Sequence, residues 1–264
     1  MITSKKEKYK WGLALSGGGA KGFAHIGAIQ ALKEKGIVPD VISGTSAGAV
    51  VGAFYAAGFS PSEIMEMFMK YEVKDFLRFT LPNKGFMKYN GFRDFLKKHI
   101  PFRNIEDLEK KLYITAANFD TGKCACFTEG ELVPRIMASC TIPVIFEPLK
   151  IEGVRYVDGG LFKNFPVTPI RPMCDKIVGV NVNPYLTDEH KENILYVAAK
   201  SFQYVFNANT TVDREQCDVL LEIDSVGKYK TFELKRAPEI FDIGYEKMKN
   251  LLETKLKELP ECIG

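Results

Sequence analysis

A serine with a glycine two positions away on each side closes the apolar run Pro39-Asp40-Val41-Ile42-Ser43 and opens the small-residue run Ala47 to Ala57. This stretch, Gly44-Thr45-Ser46-Ala47-Gly48, constrains the fold more than any other. A chain turns from strand to helix within about one residue only where side chains are missing around the bend, so the pattern demands strand, sharp turn and helix in that order. It leaves the Ser46 hydroxyl exposed at the end of a sheet, where a nucleophile would stand. By itself the pattern also describes a small-residue turn with an incidental serine, so its meaning depends on what surrounds it.

A second strand–turn–helix unit precedes it. Trp11 to Ser16 reads as a central strand, Gly17-Gly18-Gly19-Ala20-Lys21-Gly22 follows at once, and the spacing predicts a helix from Phe23 to Lys35 ending at Gly36. Two functions compete for these glycines. One is a dinucleotide fingerprint, since Gly17, Gly19 and Gly22 fit G-x-G-x-x-G with Asp40 about 20 residues on, although Asp40 stands before the next strand and not at its carboxyl end. The other is an oxyanion hole, because consecutive glycines leading into a helix present unobstructed N–H groups where positive potential gathers. Lys21 either orients this loop or is a solvated lysine at a helix start, and His25 reads as a structural histidine.

Further on, Ser60-Pro61-Ser62-Glu63 opens a helix with Ile64, Met67 and Phe68 on its apolar stripe. The texture then changes between Lys70 and Arg103, where aromatic residues, turn breakers and lysines mix; within Lys84 to Arg103 six Lys and Arg face a single acid, Asp94. Such a stretch suits a lid over a greasy pocket or contact with an anionic membrane, or else a helix packed on the sheet with a basic outer face. Strands are expected at Leu112 to Asn118, Cys124 to Thr128, Ile151 to Val157, Lys176 to Val182 and Asp218 to Ile223, and helices at Glu131 to Ser139, Asp188 to Asn209 and Ile240 to Leu259. The last helix carries Met248, Leu252, Leu256 and Leu259 on one stripe. The alternation predicts an α/β fold of three layers, a mainly parallel central sheet with helices on both faces.

With 264 residues and 46% of them hydrophobic, a single domain over residues 1–264 is expected, its motifs within about 11–182 and a scaffold of helices and strands over 183–264. A net charge of +3 gives no reason to expect nucleic acid. The apolar stretch Trp11 to Leu15 is too short for a signal peptide, and Ala47 to Phe59 falls short of the roughly 20 residues that cross a bilayer. A cytoplasmic protein, at most peripheral to a membrane, is the expectation. Six scattered cysteines without a C-x-x-C pair read as free thiols, and Cys124-x-Cys126 without histidine neighbours gives no metal site.

An elbow serine ordinarily works with a histidine held by a carboxylate. Neither His25, His99 nor His190 follows a strand end in a small-residue loop after a suitable acid; if none of them serves, a carboxylate has to take the serine proton directly. Asp158, at a strand end before Gly159-Gly160 and the irregular segment Leu161 to Pro166, is the acid that local sequence places best.

Taken together, Gly17 to Gly22, Gly44 to Gly48, Ala138-Ser139-Cys140-Thr141-Ile142-Pro143 with Phe146-Glu147-Pro148, and Asp158-Gly159-Gly160 with Asn164 and Pro166 resemble the patatin-like phospholipase family. The resemblance implies a lipid acyl hydrolase using a Ser–Asp dyad on an α/β sheet without metal or cofactor. It implies Ser46 as nucleophile, Asp158 as proton acceptor and the N–H groups of Gly17, Gly18 and Gly19 as the oxyanion hole, with Lys21 and Asn164 in support. A lipid-binding protein of weak catalysis and a dinucleotide-binding protein remain the alternatives; the intact dyad residues speak against the first.

Overall fold

The computed structural model describes residues 8–79, 87–183 and 194–258. The chain opens with β1 (Tyr9–Leu15), a single 3-10 turn over Gly19–Gly22, α1 (Phe23–Glu34), β2 (Val41–Thr45) and α2 (Ala47–Ala56). An excursion follows: α3 (Pro61–Met69), α4 (Val73–Phe76), the short pair β3 (Arg78–Phe79) and β4 (Met87–Lys88), and α5 (Asn90–His99). Then come β5 (Lys111–Asn118), β6 (Lys123–Phe127), α6 (Leu132–Ser139), β7 (Leu149–Ile151), β8 (Val154–Asp158) and α7 (Gly160–Lys163). The last third holds β9 (Cys174–Asn181), α8 (Ile194–Ala208), α9 (Thr211–Glu215), β10 (Val219–Glu222) and α10 (Ala237–Glu258).

Eight of these strands form one sheet in the order β10-β9-β1-β2-β5-β8-β7, with β6 paired to β5. From β10 to β5 every pairing is parallel; β6, β7 and β8 add an antiparallel margin. The alternation of side chains along each strand divides the interior in two. Leu13, Leu15, Ile42, Val178 and Val180 join the larger core under α1, α2 and α10, while Ala14, Val41 and Ile177 join a smaller one with Phe165, Val167 and Ile170. Both faces are therefore covered, which is why the parallel strands read as unbroken apolar runs.

Two glycines bring α10 against α1. A Cβ on Gly27 would lie 2.0 Å from the Phe241 carbonyl oxygen, and one on Gly244 would lie 2.1 Å from that of Ala24. On the stripe read from the sequence, Met248 and Leu252 are buried in the main core.

The segment from Lys70 to Arg103 combines two of its expected forms, a helical excursion with a basic outer face and a cover over an apolar pocket. Phe95 and Leu96 are buried, and Phe95 meets Phe54, Phe68, Tyr71, Phe76 and Phe92 in a continuous aromatic cluster, while Arg93, Lys97 and Lys98 face solvent. The aromatic side chains of this cluster thus point inward and the outer face of α5 is basic. The reading of an exposed apolar surface ringed by lysines is corrected to that extent; residues 80–86 lie outside the described part. The long helix expected from Asp188 is described from Ile194.

Candidate active site

The pairing of β5 brings the two acid–base candidates together. β6 runs along one edge of β5 from Ile114 to Asn118; along the other, β2 pairs from Lys111 to Thr115 and β8 pairs in the opposite direction from Asn118 back to Ala116. The carboxyl ends of β2 and β8 consequently meet end to end, Thr45 opposite Thr115 and Asp158 opposite Ala116. The residue after Thr45 is Ser46, and its side chain lies beside the Asp158 carboxyl.

Ser46 is a backbone outlier, with φ 53° and ψ −119°. A non-glycine residue there costs on the order of 1–3 kcal/mol and persists only when neighbours overdetermine it. Here its N–H donates to Ser139 Oγ at 2.7 Å, and that hydroxyl donates to the Thr115 carbonyl at 2.7 Å. Gly48 lets α2 approach the sheet: a Cβ at this position would sit 2.2 Å from the Leu15 carbonyl oxygen.

Asp158 is only 2% exposed. Its N–H donates to the Thr141 carbonyl at 2.8 Å, and its Oδ1 accepts the Gly160 N–H at 2.8 Å. Burial pushes its carboxyl up to about 6, against the downward pull of the Gly160 hydrogen bond and of the neighbouring Ser46 hydroxyl. Two further titratable groups adjoin it. The Cys140 thiol is pushed well above its usual range by burial and by the carboxylate charge, and the Tyr89 phenol is pushed up to about 12 chiefly by burial. The Tyr89 hydroxyl bonds to Thr141 Oγ1 at 2.6 Å, and that hydroxyl donates to the Met137 carbonyl at 2.8 Å.

The glycine loop departs from the expected three-donor arrangement. The Gly17 N–H is already engaged, donating to the Asn164 carbonyl at 3.0 Å, so this donor is withdrawn from the expected set. Among the described residues no backbone carbonyl accepts from Gly18 or Gly19. Gly19 sits at φ 60°, where a Cβ would press on Thr231, whose carbonyl accepts the Ala20 N–H at 2.7 Å. Asn164 abuts Gly17, and its side-chain nitrogen is buried without a hydrogen-bond partner among the described residues.

Lys21 is not a solvated lysine. It is buried, its Nζ donates to Asn183 Oδ1 at 3.4 Å, and burial with the nearby Lys200 charge pulls its pKa down to about 8. His25 is wholly buried against the Ser16 carbonyl at 2.8 Å, and desolvation holds its ring down at about 4. His99 bonds to the Tyr71 hydroxyl at 3.0 Å; His190 lies outside the described residues. Asp40 stands at the amino end of β2, where its N–H reaches the Trp11 carbonyl, far along the strand from the glycine loop; this is no place for a ribose-binding acid. Among the described residues no group of three or more His, Cys, Asp and Glu side chains gathers to hold a metal ion.

Ser46 opens onto a cavity of about 150 Å³ whose lining includes no charged side chain. Val73, Phe76, Leu77, Tyr89 and Phe92 form the wall contributed by the Lys70 to Arg103 segment, and Cys140, Ile142 and Phe146 contribute from the loop after α6. Thr231, Phe232 and Leu234 complete it from the C-terminal third, a region read from sequence as scaffold only. No motif announces them; the irregular run between β10 and α10, too long for a simple connection, is the one sequence sign.

Residues 13–170 match the sequence profile of the family described as patatin-like phospholipase, more than half of the chain. The chain belongs to that family. It is 34% identical over 175 residues to an uncharacterized NTE family protein of Mycobacterium tuberculosis, covering 65% of this chain and 48% of the relative. It is 33% identical over 178 residues to the lysophospholipase NTE1 of Saccharomyces cerevisiae, covering 65% of this chain and 11% of that protein. The chain therefore spans at most about half the length of these curated relatives. Among solved structures, VipD from Legionella pneumophila aligns over 96% of this chain and 72% of its own, with a TM-score of 0.55 at 16% identity, a likeness of fold. The patatin-like fold is thus both the match of the sequence and the form of the sheet. No helix among the described residues is long and apolar enough to cross a membrane.

Proposed function

We propose that this protein is a serine lipid acyl hydrolase in which Ser46 is the nucleophile and Asp158 the base. The observation that carries the reading is the end-to-end junction of β2 and β8, which brings a strained serine on the lining of an apolar, uncharged cavity beside a buried carboxyl. Ser46 Oγ attacks the ester carbonyl carbon as its proton passes to Asp158. The N–H groups of Gly18 and Gly19 receive the oxyanion, at a worth of roughly 3–4 kcal/mol each toward the transition state. The tetrahedral adduct collapses, the alkoxy C–O bond breaks, and Asp158 returns the proton to the leaving alcohol. Water then attacks the acyl-serine, gives its proton to Asp158, and releases the fatty acid as Ser46 Oγ recovers a proton. A carboxyl raised toward neutrality by burial is a better base for a hydroxyl than one of ordinary pKa.

The cavity suits an acyl chain and offers no charge to a head group, so substrates are fatty-acyl esters of phospholipids, lysophospholipids or acylglycerols with the head group held outside it. The relative named as a lysophospholipase supports this class. The basic face of α5, with Arg93, Lys97 and Lys98, is the side offered to an anionic membrane.

Hydrolysis of a short-chain p-nitrophenyl ester by wild type, Ser46→Ala, Asp158→Asn and a variant with His25, His99 and His190 all replaced tests the reading. Loss in the first two variants with retention in the third supports it; a folded but inactive histidine-free protein, or an active Ser46→Ala, refutes it.

A further inference from the structure

The loop that follows Asp158 is held from a direction in which the sequence carries no motif. Asn209, just past the end of α8, receives the Asn164 N–H on its Oδ1 at 2.8 Å and donates its Nδ2 to the Gly160 carbonyl at 2.7 Å. Gly160 in turn gives its N–H to Asp158 Oδ1 at 2.8 Å, and Asn164 gives its carbonyl to the Gly17 N–H at 3.0 Å. A continuous chain of hydrogen bonds thus runs from the glycine loop through Asn164, Asn209 and Gly160 to the carboxyl of Asp158. Its central link has to accept on one side and donate on the other without charge: a carboxamide does so from two separate atoms, whereas a carboxylate only accepts, an ammonium only donates, and a hydroxyl must do both from a single oxygen. The link is fixed from behind: the Asn209 N–H bonds to Val205, and Asp213, fully buried on α9, accepts the N–H groups of Val167 and Thr168 and the Lys163 ammonium at 2.8–2.9 Å.

We propose that Asn209 is a positioning residue, whose side-chain amide locks the loop bearing the base to the glycine loop that faces the same carbonyl. The role rests on Asp158 acting as the base. Asn209 touches neither substrate nor the reacting atoms; it works by keeping Gly160 N–H aimed at Asp158 and Asn164 carbonyl on Gly17. With Asn209 truncated, Gly160 is released, its stabilisation of the ionised carboxyl weakens, and the Asp158 midpoint rises. The titratable groups that face Asp158 are the Cys140 thiol and the Tyr89 phenol, both neutral through this range, so neither obscures the shift.

The experiment reads Asp158 and turnover separately. Carbon-13 NMR of the side-chain carboxyls, with the Asp158 signal assigned by its loss in Asp158→Asn, is followed from pH 4 to 9 in wild type, Asn209→Ala and Val212→Ala, an exposed control on α9. Ester hydrolysis is measured on the same samples. In Asn209→Ala the Asp158 midpoint is expected to move up by about half a unit, with kcat falling on the order of 10- to 100-fold and KM changing less than about twofold. Val212→Ala should match wild type in both. A folded Asn209→Ala with a lower Tm but an unmoved Asp158 midpoint and unchanged kcat overturns the proposal, since that is the behaviour of a purely structural contact. Should Asn209→Ala fail to fold, Asn209→Ser, neutral and too short to bridge both partners, is read in the same way. If Ser46→Ala hydrolyses the ester as fast as wild type, the hydrolase reading falls, while the NMR midpoint still decides whether Asn209 governs Asp158.

Discussion

The two glycine turns near the N-terminus and the polar run from Asn207 to Leu234 converge on the same cavity, yet they are built on opposite terms. The turns hold their geometry through what is missing: a Cβ on Gly44 or Gly48 would strike backbone at 2.2–2.4 Å, and Ser46 is strained between them. The C-terminal run works through what is added, a carboxamide at Asn209, a carbonyl at Thr231 and the rings and chains of Phe232 and Leu234. In the proposed mechanism the first region sets the nucleophile and the oxyanion donors, while the second holds the loop of the base in line and closes the cavity. Damage to the first should therefore abolish chemistry, and damage to the second should scale it or change its selectivity.

Ser46→Ala gives the largest expected loss, about 10⁴-fold or more in kcat, measured by ester hydrolysis. Asp158→Asn should lose a comparable amount while gaining stability. The folded pKa of Asp158, about 6, exceeds the ordinary carboxyl value of 3.8, so the folded state binds the proton more tightly. The stability this proton supplies is full below 3.8 and gone above about 6. An uncharged amide is then favoured near pH 8 by on the order of 2–3 kcal/mol, visible as a higher Tm. His25 has the opposite sign: held down at about 4, it supplies stability above its ordinary 6.5 that disappears as pH falls toward 4. In Asp158→Asn the loss of Tm on acidification from pH 7 to 4 should be steeper than in wild type, because the offsetting carboxyl is gone.

For wild type, kcat/KM should rise with pH through about 6 and level off, as the base becomes ionised. A smaller effect is expected from the second region. Phe232→Ala should raise KM for medium-chain esters about 10- to 100-fold while leaving acetyl esters little changed, a split that a damaged dyad would not produce. Smallest of all, Lys97→Glu with Lys98→Glu should leave soluble-ester turnover unaltered and weaken binding to anionic vesicles, at about 1 kcal/mol per lysine, in a flotation assay.

Legibility in the sequence followed the same division. Glycine spacing at Gly17 to Gly22 and Gly44 to Gly48 demands a particular backbone, so strand, turn and helix appear where that chemistry requires them. Apolar periodicity likewise located β1, β2, β5, β9 and the buried stripe of α10 to within a few residues. What was not legible depends on long-range pairing. Nothing local in Gly17 says that its N–H is spent on Asn164, and nothing in Asn209 says which carbonyl it meets. Lys21 looks like a solvated lysine until the sheet brings Asn183 over it. The aromatic residues of α5 could equally have faced lipid; the cluster around Phe68 and Phe95 decides that they face inward.

The most direct test of the Ser46–Asp158 account is to find the atom that carries the acyl group. A burst with an excess of p-nitrophenyl ester, quenched in acid and digested, locates the adduct by peptide mass. The expected result is one acyl group on the peptide containing Ser46, absent in Ser46→Ala. An acyl group on Cys140, the thiol beside the dyad, or turnover that persists in Ser46→Ala, would contradict it.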